Sequence, residues 1–502
     1  MEIIAGLLDS VSLSALVYAF LGSGIGMLFG MVPGLSATMG VALLTPLAFN
    51  LSPVDGLALI LGVYNASMFG SGITAILINT PGTPASIAST FDGYPMTLQG
   101  RGNLALGINA LGGLIGSVFG LIMLAVIAVP IANYAIRFGP PEYFALAIFG
   151  LSMIVSVSGA SVIKGLIAGA FGMLLATVGL DPILGFPRFT FGDLELLDGI
   201  PFIPAMIGLF GLAEVLVQIR SHVQRQRFEV RHATDRLFPT WEEGKRLAPP
   251  IAIGSVVGTF VGAIPGAGGD IASLVSWDLA RHISKEPEKF GKGSPEGLAA
   301  SETANNSVIG GSLATMLALG IPGDAPTAVL IGTLLIWGLQ PGPLFFRDHL
   351  PLFYTMVGIL IISSIFSFFF SVARARRMVG WLQRLSAPKL WAVVLAACMV
   401  GTYALNNSFH DVLVMLVAGV FGLFLREFQF PAGPIVLGLI LGPMAEANLQ
   451  RSLLLFGNDL TQFAGRPVAM VLLVAALVAL ILGEWQRRRT EMRVSRAEVP
   501  AE

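Results

Sequence analysis

The chain has 502 residues, of which 55% are hydrophobic and 12% charged, and its formal net charge is −1. Soluble domains carry about 25% charged residues, so a water-soluble enzyme of this length is excluded, and a near-neutral chain offers no footprint for nucleic acid. A single cysteine, Cys398, excludes an internal disulfide or a cysteine-rich metal site, and five histidines, among them His282, His349 and His410, are scattered without ligand spacing.

The N-terminus reads Met1-Glu2 with Asp9, and the first basic residue is Arg101. A cleavable signal needs a basic start, so the first helix is expected to stay in the mature protein. Between Val11 and Phe91 the only charge is Asp55. Apolar segments follow at roughly 11–32, 36–50, 56–79, 104–129, 141–160, 163–180 and 200–219. Most are near the ~20 residues that cross a bilayer as helix, so the predicted class is an all-α polytopic membrane protein. The short segment 36–50, and likewise 81–91 and 325–339, suits either a crossing or a re-entrant hairpin.

Lys and Arg gather on cytoplasmic loops. They gather here in Arg220–Arg246, in Arg374–Lys389 and in the tail after Trp485. The N-terminal stretch lacks them, and Asp181–Asp198 is acidic except for Arg188. Seven crossings take an outside N-terminus to an inside loop at Arg220, with Arg101 and Lys164 inside. The second half then starts inside, ends outside near Asp459, and a last helix at about 466–484 returns the tail to the cytoplasm.

The halves are related. Gly22, Gly26, Gly30, Pro33 and Gly34 recur 232 residues later as Gly254, Gly258, Gly262, Pro265 and Gly266. Gly56, Asn65, Gly70, Ser71, Thr74, Pro81 and Gly82 recur at an offset of 241 as Gly297, Asn306, Gly311, Ser312, Thr315, Pro322 and Gly323. The expected organisation is a first repeat at 1–219, a basic linker at 220–248, an inverted second repeat at 249–465, an extra helix at 466–484 and a basic tail at 485–502.

Four Pro-Gly breaks interrupt apolar helix: 33–38, 79–84, 265–270 and 320–326. Proline removes a backbone donor, and a helix that restarts after a break presents free N–H groups and a positive dipole end. That is an anion site without Arg or Lys, while unwound carbonyls suit a small cation. Paired broken helices in related halves mark a substrate path. The candidate substrate contacts are Pro33, Gly34, Ser36, Thr38, Asn65, Thr80, Pro81, Gly82, Thr83, Pro265, Gly266, Gly268, Gly269, Asn306, Pro322 and Gly323. Asp270, Glu302, Asn305 and Asp324 are candidates for a cation or for specificity; polar groups inside a membrane are functional by default. The Gly-x3-Gly runs also read as surfaces for close helix packing, and Asn65 and Asn306 as interhelical glue.

No catalytic motif emerges: there is no G-x-S-x-G, no H-E-x-x-H and no P-loop, and no cofactor is expected. Three alternatives to a carrier are a channel, an intramembrane hydrolase built on Asp270 and Asp324, and a scaffold subunit.

The Pro-Gly blocks carry a resemblance. Met31–Gly40, Asn79–Ser86, Phe91–Pro95 (Phe-Asp-Gly-Tyr-Pro), Gly139–Phe144, Val178–Pro182, Pro187–Phe191, Ile264–Gly268, Phe290–Gly293, Thr303–Asn306, Leu319–Gly323 and Gln340–Pro343 together resemble the large membrane subunit of the tripartite tricarboxylate transporter family. The resemblance implies a multi-pass protein of the bacterial inner membrane that imports a di- or tricarboxylate on a sodium or proton gradient. It further implies a small transmembrane partner subunit, a periplasmic solute-binding protein that delivers substrate, and an elevator-like movement of a transport region against a scaffold.

Overall fold

A computed structural model describes residues 2–32, 34–157, 161–220, 235–384 and 387–497. Most of the basic linker, the end of the tail and Pro33 therefore lie outside the described residues. The chain is built almost wholly of helix, in the order α1 (Glu2–Ser10), α2 (Leu13–Met31), α3 (Ala37–Phe49), α4 (Pro53–Ile78), α5 (Ile87–Leu98), α6 (Gly102–Ala135), α7 (Pro140–Val157), α8 (Val162–Leu175), α9 (Phe202–Met206) and α10 (Ala213–Arg220). A π-helical stretch, Ile207–Leu212, joins α9 to α10. The second half gives α11 (Trp241–Gly262), α12 (Gly268–Ile283), α13 (Pro295–Leu319), α14 (Ala325–Ile336), α15 (Pro343–Asp348), α16 (Leu350–Arg384), α17 (Ala387–Asn406), α18 (Phe409–Glu427), α19 (Ala432–Leu455) and α20 (Pro467–Ala497). The only strands among the described residues, β1 (Gly179–Leu180) and β2 (Pro187–Arg188), form an antiparallel pair.

Among the described residues, eight helical stretches are long and apolar enough to cross a membrane: α2, α4, α6, the run 202–220, α16 to residue 373, α17, α18 and α19. α3 has 13 residues, about 20 Å of helix, which is less than the ~30 Å of a hydrocarbon core. α14 has 12 residues and α5 has 12. Each of these arms is therefore too short to cross the core alone as a straight helix. Exposed Val393, Val417, Phe369 and Val471 stud the outer helices, as suits a surface facing lipid.

The repeated glycines explain the core. Gly22, Gly26 and Gly30 on α2 lie against the backbone of Leu59, Val63 and Ser67 on α4; Gly254, Gly258 and Gly262 on α11 lie against Ala300, Ala304 and Val308 on α13. Every partner in the second set is the first-set partner shifted by 241. At all six positions a Cβ would press into a carbonyl oxygen of the facing helix. The small residues thus let two backbones touch, the packing mode of membrane helices. α4 and α13 are buried along nearly their whole lengths. Around this core α7, α8, α19 and α20 pack on one another, and α17 and α18 pack on the run 202–220.

Candidate functional site

Each break is set by local chemistry. α4 ends on Asn79 and α13 on Gly320, equivalent residues that both adopt the left-handed conformation, with φ of 54° and 74°. Glycine and asparagine are the residues that end helices this way. Gly34 and Gly266 turn the chain at φ of 92° and 80°. After the breaks, Ser36 Oγ accepts from the Met39 N–H at 3.2 Å and caps α3. Asp324 caps α14 reciprocally with Thr327, and Thr83 precedes a 3-10 turn, Pro84–Ser86, that leads into α5.

The breaks meet in sequence around the core. Gly82 of the second seats its Cα on the Gly30 carbonyl just before the first. Gly269, beyond the third, lies where a Cβ would meet Ala85 Cβ at 3.0 Å and Asn305 Oδ1 at 2.9 Å. Ser273 Oγ donates to the Ala85 carbonyl at 2.7 Å. The third and fourth breaks join through Gly266 N–H donating to the Gly323 carbonyl at 2.7 Å. The arms also exchange between halves: α12 packs on α5, and α3 packs on α14, where Thr45 and Thr333 share a hydroxyl hydrogen bond of 2.8 Å. A cleft of about 150 Å³ opens at Gly266, Asp324 and Ala325, closed on the other side by Phe210, Pro431, Pro434 and Leu437. A larger cleft of about 660 Å³ lies apart from the breaks, between the 195–201 loop and residues 406–411.

The structure therefore gathers Gly34, Ser36, Thr38, Thr80, Pro81, Gly82, Thr83, Pro265, Gly266, Gly268, Gly269, Asp270, Pro322, Gly323 and Asp324 at or beside the four breaks. The buried Thr83 hydroxyl has no hydrogen-bond partner, whereas Thr80 Oγ1 donates to the Ile78 carbonyl at 3.2 Å. Asp270 stands in the first turn of α12, where a carboxylate is favoured by the helix dipole. Asn65, Glu302, Asn305 and Asn306 lie within helices rather than on the breaks. Asn65 is engaged as interhelical glue: its Nδ2 donates to Ser363 and Ser364 at 3.2 and 3.1 Å, and its Oδ1 accepts from Ser117 at 3.4 Å. Asn306 Nδ2 donates to the Glu302 carbonyl at 2.9 Å, and its Oδ1 is unpartnered.

Three residues that the sequence reading did not single out as site residues shape this region. Tyr64 Oη donates to Asp324 Oδ2 at 2.6 Å and ties α4 of the first half to the fourth break. Asn109 on α6 is buried beside Glu302 and Gly72. Asp92 joins two motifs of the resemblance: its Oδ1 accepts from the N–H groups of Gly291, Gly293 and Ser294 at 2.9, 3.0 and 2.7 Å. Its Oδ2 accepts from Trp277 Nε1 at 2.7 Å. The Phe-Asp-Gly-Tyr-Pro and Phe-Gly-Lys-Gly motifs are thus the two sides of one contact. The same pair of motifs was the available signal, a lone acid in one and a bared backbone in the other.

Asp92→Ala will leave four donors without their acceptor, at about 1–3 kcal/mol for each one that water does not reach. Trypsin is then expected to cut the loop at Lys289 or Lys292 much faster than in the parent protein. Unchanged digestion would show that the loop holds its shape without Asp92.

Outside the core, Arg188 of β2 pairs with Glu446 and lies 3.3 Å from Asp181. The Leu184 and Ile183 N–H groups hold the Asp181 carboxyl below the usual carboxylate range. This fastens the 179–188 hairpin to α19.

Residues 16–437 match the model of the tripartite tricarboxylate transporter TctA family. A protein of Agrobacterium vitis, described as an uncharacterised 52.8 kDa protein in the TAR-I ttuC' 3' region, is 34% identical over 473 residues, 93% of this chain and 92% of the relative. A second A. vitis protein, from the TAR-II ttuC' 3' region, is 31% identical over 228 residues, 45% of this chain and 93% of its own length. No solved structure matches the chain. With the family model spanning most of its length and broken helices meeting at its centre, this multi-pass membrane protein belongs to the tripartite tricarboxylate transporter TctA family, a family of transporters and not of enzymes.

Proposed function

We propose that this chain is the large membrane subunit of a cation-coupled secondary transporter that imports a di- or tricarboxylate across the bacterial inner membrane. The observation that carries the reading is the meeting of four helix breaks, each followed by a helix start. Free N–H groups at such starts bind carboxylate. The starts of α12 and α14 already carry Asp270 and Asp324, so the anion is held at α3 and α5, where the hydroxyls of Ser36, Thr38 and Thr83 add donors. The Thr80 hydroxyl is engaged by the Ile78 carbonyl. A sodium ion or proton offsets the charge of the bound anion, and transport is coupled when the fully loaded protein changes state more readily than the half-loaded one. The halves are read as inverted repeats, with the N-terminus periplasmic and the C-terminus cytoplasmic by the distribution of Lys and Arg. The breaks and the glycine-packed helices form the moving part of an elevator, and the outer helices its scaffold. A small transmembrane subunit completes the membrane complex, and a periplasmic binding protein delivers the substrate.

The test is uptake of radiolabelled carboxylates into vesicles that hold the complex, with sodium and proton gradients imposed separately. One acid is expected to accumulate, saturably, under one gradient only. Conductance without coupling would favour a channel. Ser36→Ala with Thr38→Ala is expected to weaken apparent affinity about thirtyfold, for two hydrogen bonds at a net ~1 kcal/mol each. Ser36 also caps α3, so the variant's thermal unfolding must be read alongside; unchanged uptake removes both hydroxyls from the site.

A further inference from the structure

The ionisable group with the least explained surroundings is Glu302. It lies in the middle of α13 and is wholly buried. Neither carboxyl oxygen has a hydrogen-bond partner. α4, α5, α6 and α13 carry no Lys, Arg or His, and the basic residues of α11 and α12, which also pack on α13, stand at the helix ends, at Lys245, Arg246, Arg281 and His282. An isolated buried carboxylate is among the costliest groups a fold can hold.

Other oxygens gather at the same place. Gly72 on α4 has no side chain, and a Cβ there would overlap both Glu302 Oε1 and Asn109 Oδ1. These two oxygens therefore converge over one bare Cα. Asn305 and Ser89 lie beside the carboxylate, though neither completes a hydrogen bond to it. Both amides are oriented by α4: Asn305 Nδ2 donates to the Met68 carbonyl at 3.2 Å and Asn109 Nδ2 to the Phe69 carbonyl at 3.4 Å. With their nitrogens so engaged, the oxygens must face the other way, and both are buried and unpartnered.

We infer that Glu302, Asn109 and Asn305 form a binding site for a dehydrated monovalent cation of sodium's kind, framed by Gly72. Glu302 and Asn109 Oδ1 converge over Gly72, and none of their three oxygens accepts a hydrogen bond. A single proton would pair only two of them, whereas a hard cation takes oxygen ligands from carboxylate and carbonyl alike. One carboxylate balances one positive charge, so a divalent ion would leave an excess. The site deepens the transporter reading and rests on it for its purpose, because Asn305 Oδ1 also abuts Gly269 at the third break. An ion drawing that amide toward Glu302 fixes the wall against which the break turns, so cation occupancy is felt where the anion binds.

The test is direct sodium binding to the full chain in nanodiscs, by isothermal titration at constant ionic strength and pH 8 with no carboxylate present. The wild-type protein is expected to bind saturably, and sodium to raise its unfolding temperature by linkage. Glu302→Gln, of the same shape, is expected to lose at least about tenfold in affinity and the thermal response with it, as for removal of a charged ligand. Asn109→Ala is the second variant, should the first fail to fold, and is expected to weaken binding in the same direction. No saturable binding by folded wild-type protein, or wild-type affinity in Glu302→Gln, overturns the site. Because no carboxylate is present, an error in the substrate class leaves this result standing, whereas cation-independent uptake would sink the coupling reading without touching the binding data.

Discussion

Gly82→Ala will cost this protein most of its folded yield. A Cβ on Gly82 would overlap the carbonyl oxygen of Gly30 and lie 2.9 Å from Ser71 Cα. All the atoms involved are backbone, so no side chain can swing aside. Overpacking in a close-packed interior costs about 1–3 kcal/mol where neighbours can adjust; here they cannot, so the upper end or more is expected. Against a total stability of ~5–15 kcal/mol, that is a large share. Gly323 is the same position in the second half, where a Cβ would meet Ser312 Cα at 2.5 Å and the Gly262 carbonyl oxygen at 2.6 Å. Gly323→Ala is expected to act in the same direction with a smaller effect. Gly244→Ala is the control, since nothing lies within 4 Å of its Cβ position, and the change in an exposed helix gains up to ~1 kcal/mol. Thermal unfolding and size-exclusion profiles of the three variants check this ordering. A Gly82→Ala protein that melts with the parent would mean that the first two breaks do not touch as described.

The contrast between these glycines and the buried acids shows what the sequence made visible. Proline and glycine announce themselves because they act through their own backbone, so the four breaks and the two offsets were legible by inspection. The packing role of Gly22, Gly26, Gly254 and Gly258 was legible for the same reason, as one reading of small residues spaced four apart in apolar helix. The length of α3 was not, because an apolar run of 15 residues looks alike whether it crosses or turns back. The π-helical stretch at 207–212 left no mark either; it lies where Gly208 and Gly211 press on α18 and α17, a tertiary demand. Tyr64, Asn109 and Asp92 went unsingled because each acts on a partner far away in sequence, with no periodicity to betray it. Asn65 and Asn305 illustrate the limit most directly. Both are amides inside apolar helix and read alike as sequence, yet one is fully bonded between three helices and the other keeps a buried oxygen free.

Asp324→Ala is expected to be the most damaging change of a single side chain at the breaks. Asp324 Oδ2 accepts from the Tyr64 hydroxyl, while Oδ1 accepts from the Thr327 N–H at 3.0 Å and lies 2.7 Å from the Thr327 hydroxyl. One carboxylate thus both starts α14 and ties the second half to α4 of the first. Losing an N-cap costs about 0.5–2 kcal/mol, and losing a hydrogen bond to a charged group about 1.5–3 kcal/mol; the phenol hydroxyl is left buried without a partner. The sum is roughly 2–5 kcal/mol. Asp324→Asn keeps an acceptor for the cap and isolates the contribution of charge. Tyr64→Phe removes the tie and leaves the cap intact, so the pair of variants and their double form a cycle that measures the tie itself. A coupling of at least about 1 kcal/mol is expected in unfolding. If Asp324→Ala unfolds within ~0.5 kcal/mol of the parent, the fourth break is held by something other than this carboxylate. If it is destabilised while Tyr64→Phe is neutral, the cap alone matters and the cross-link between the halves carries no weight. Should both be destabilised and uptake fall beyond what the folded fraction explains, the tie between α4 and the fourth break is part of how the two halves move together.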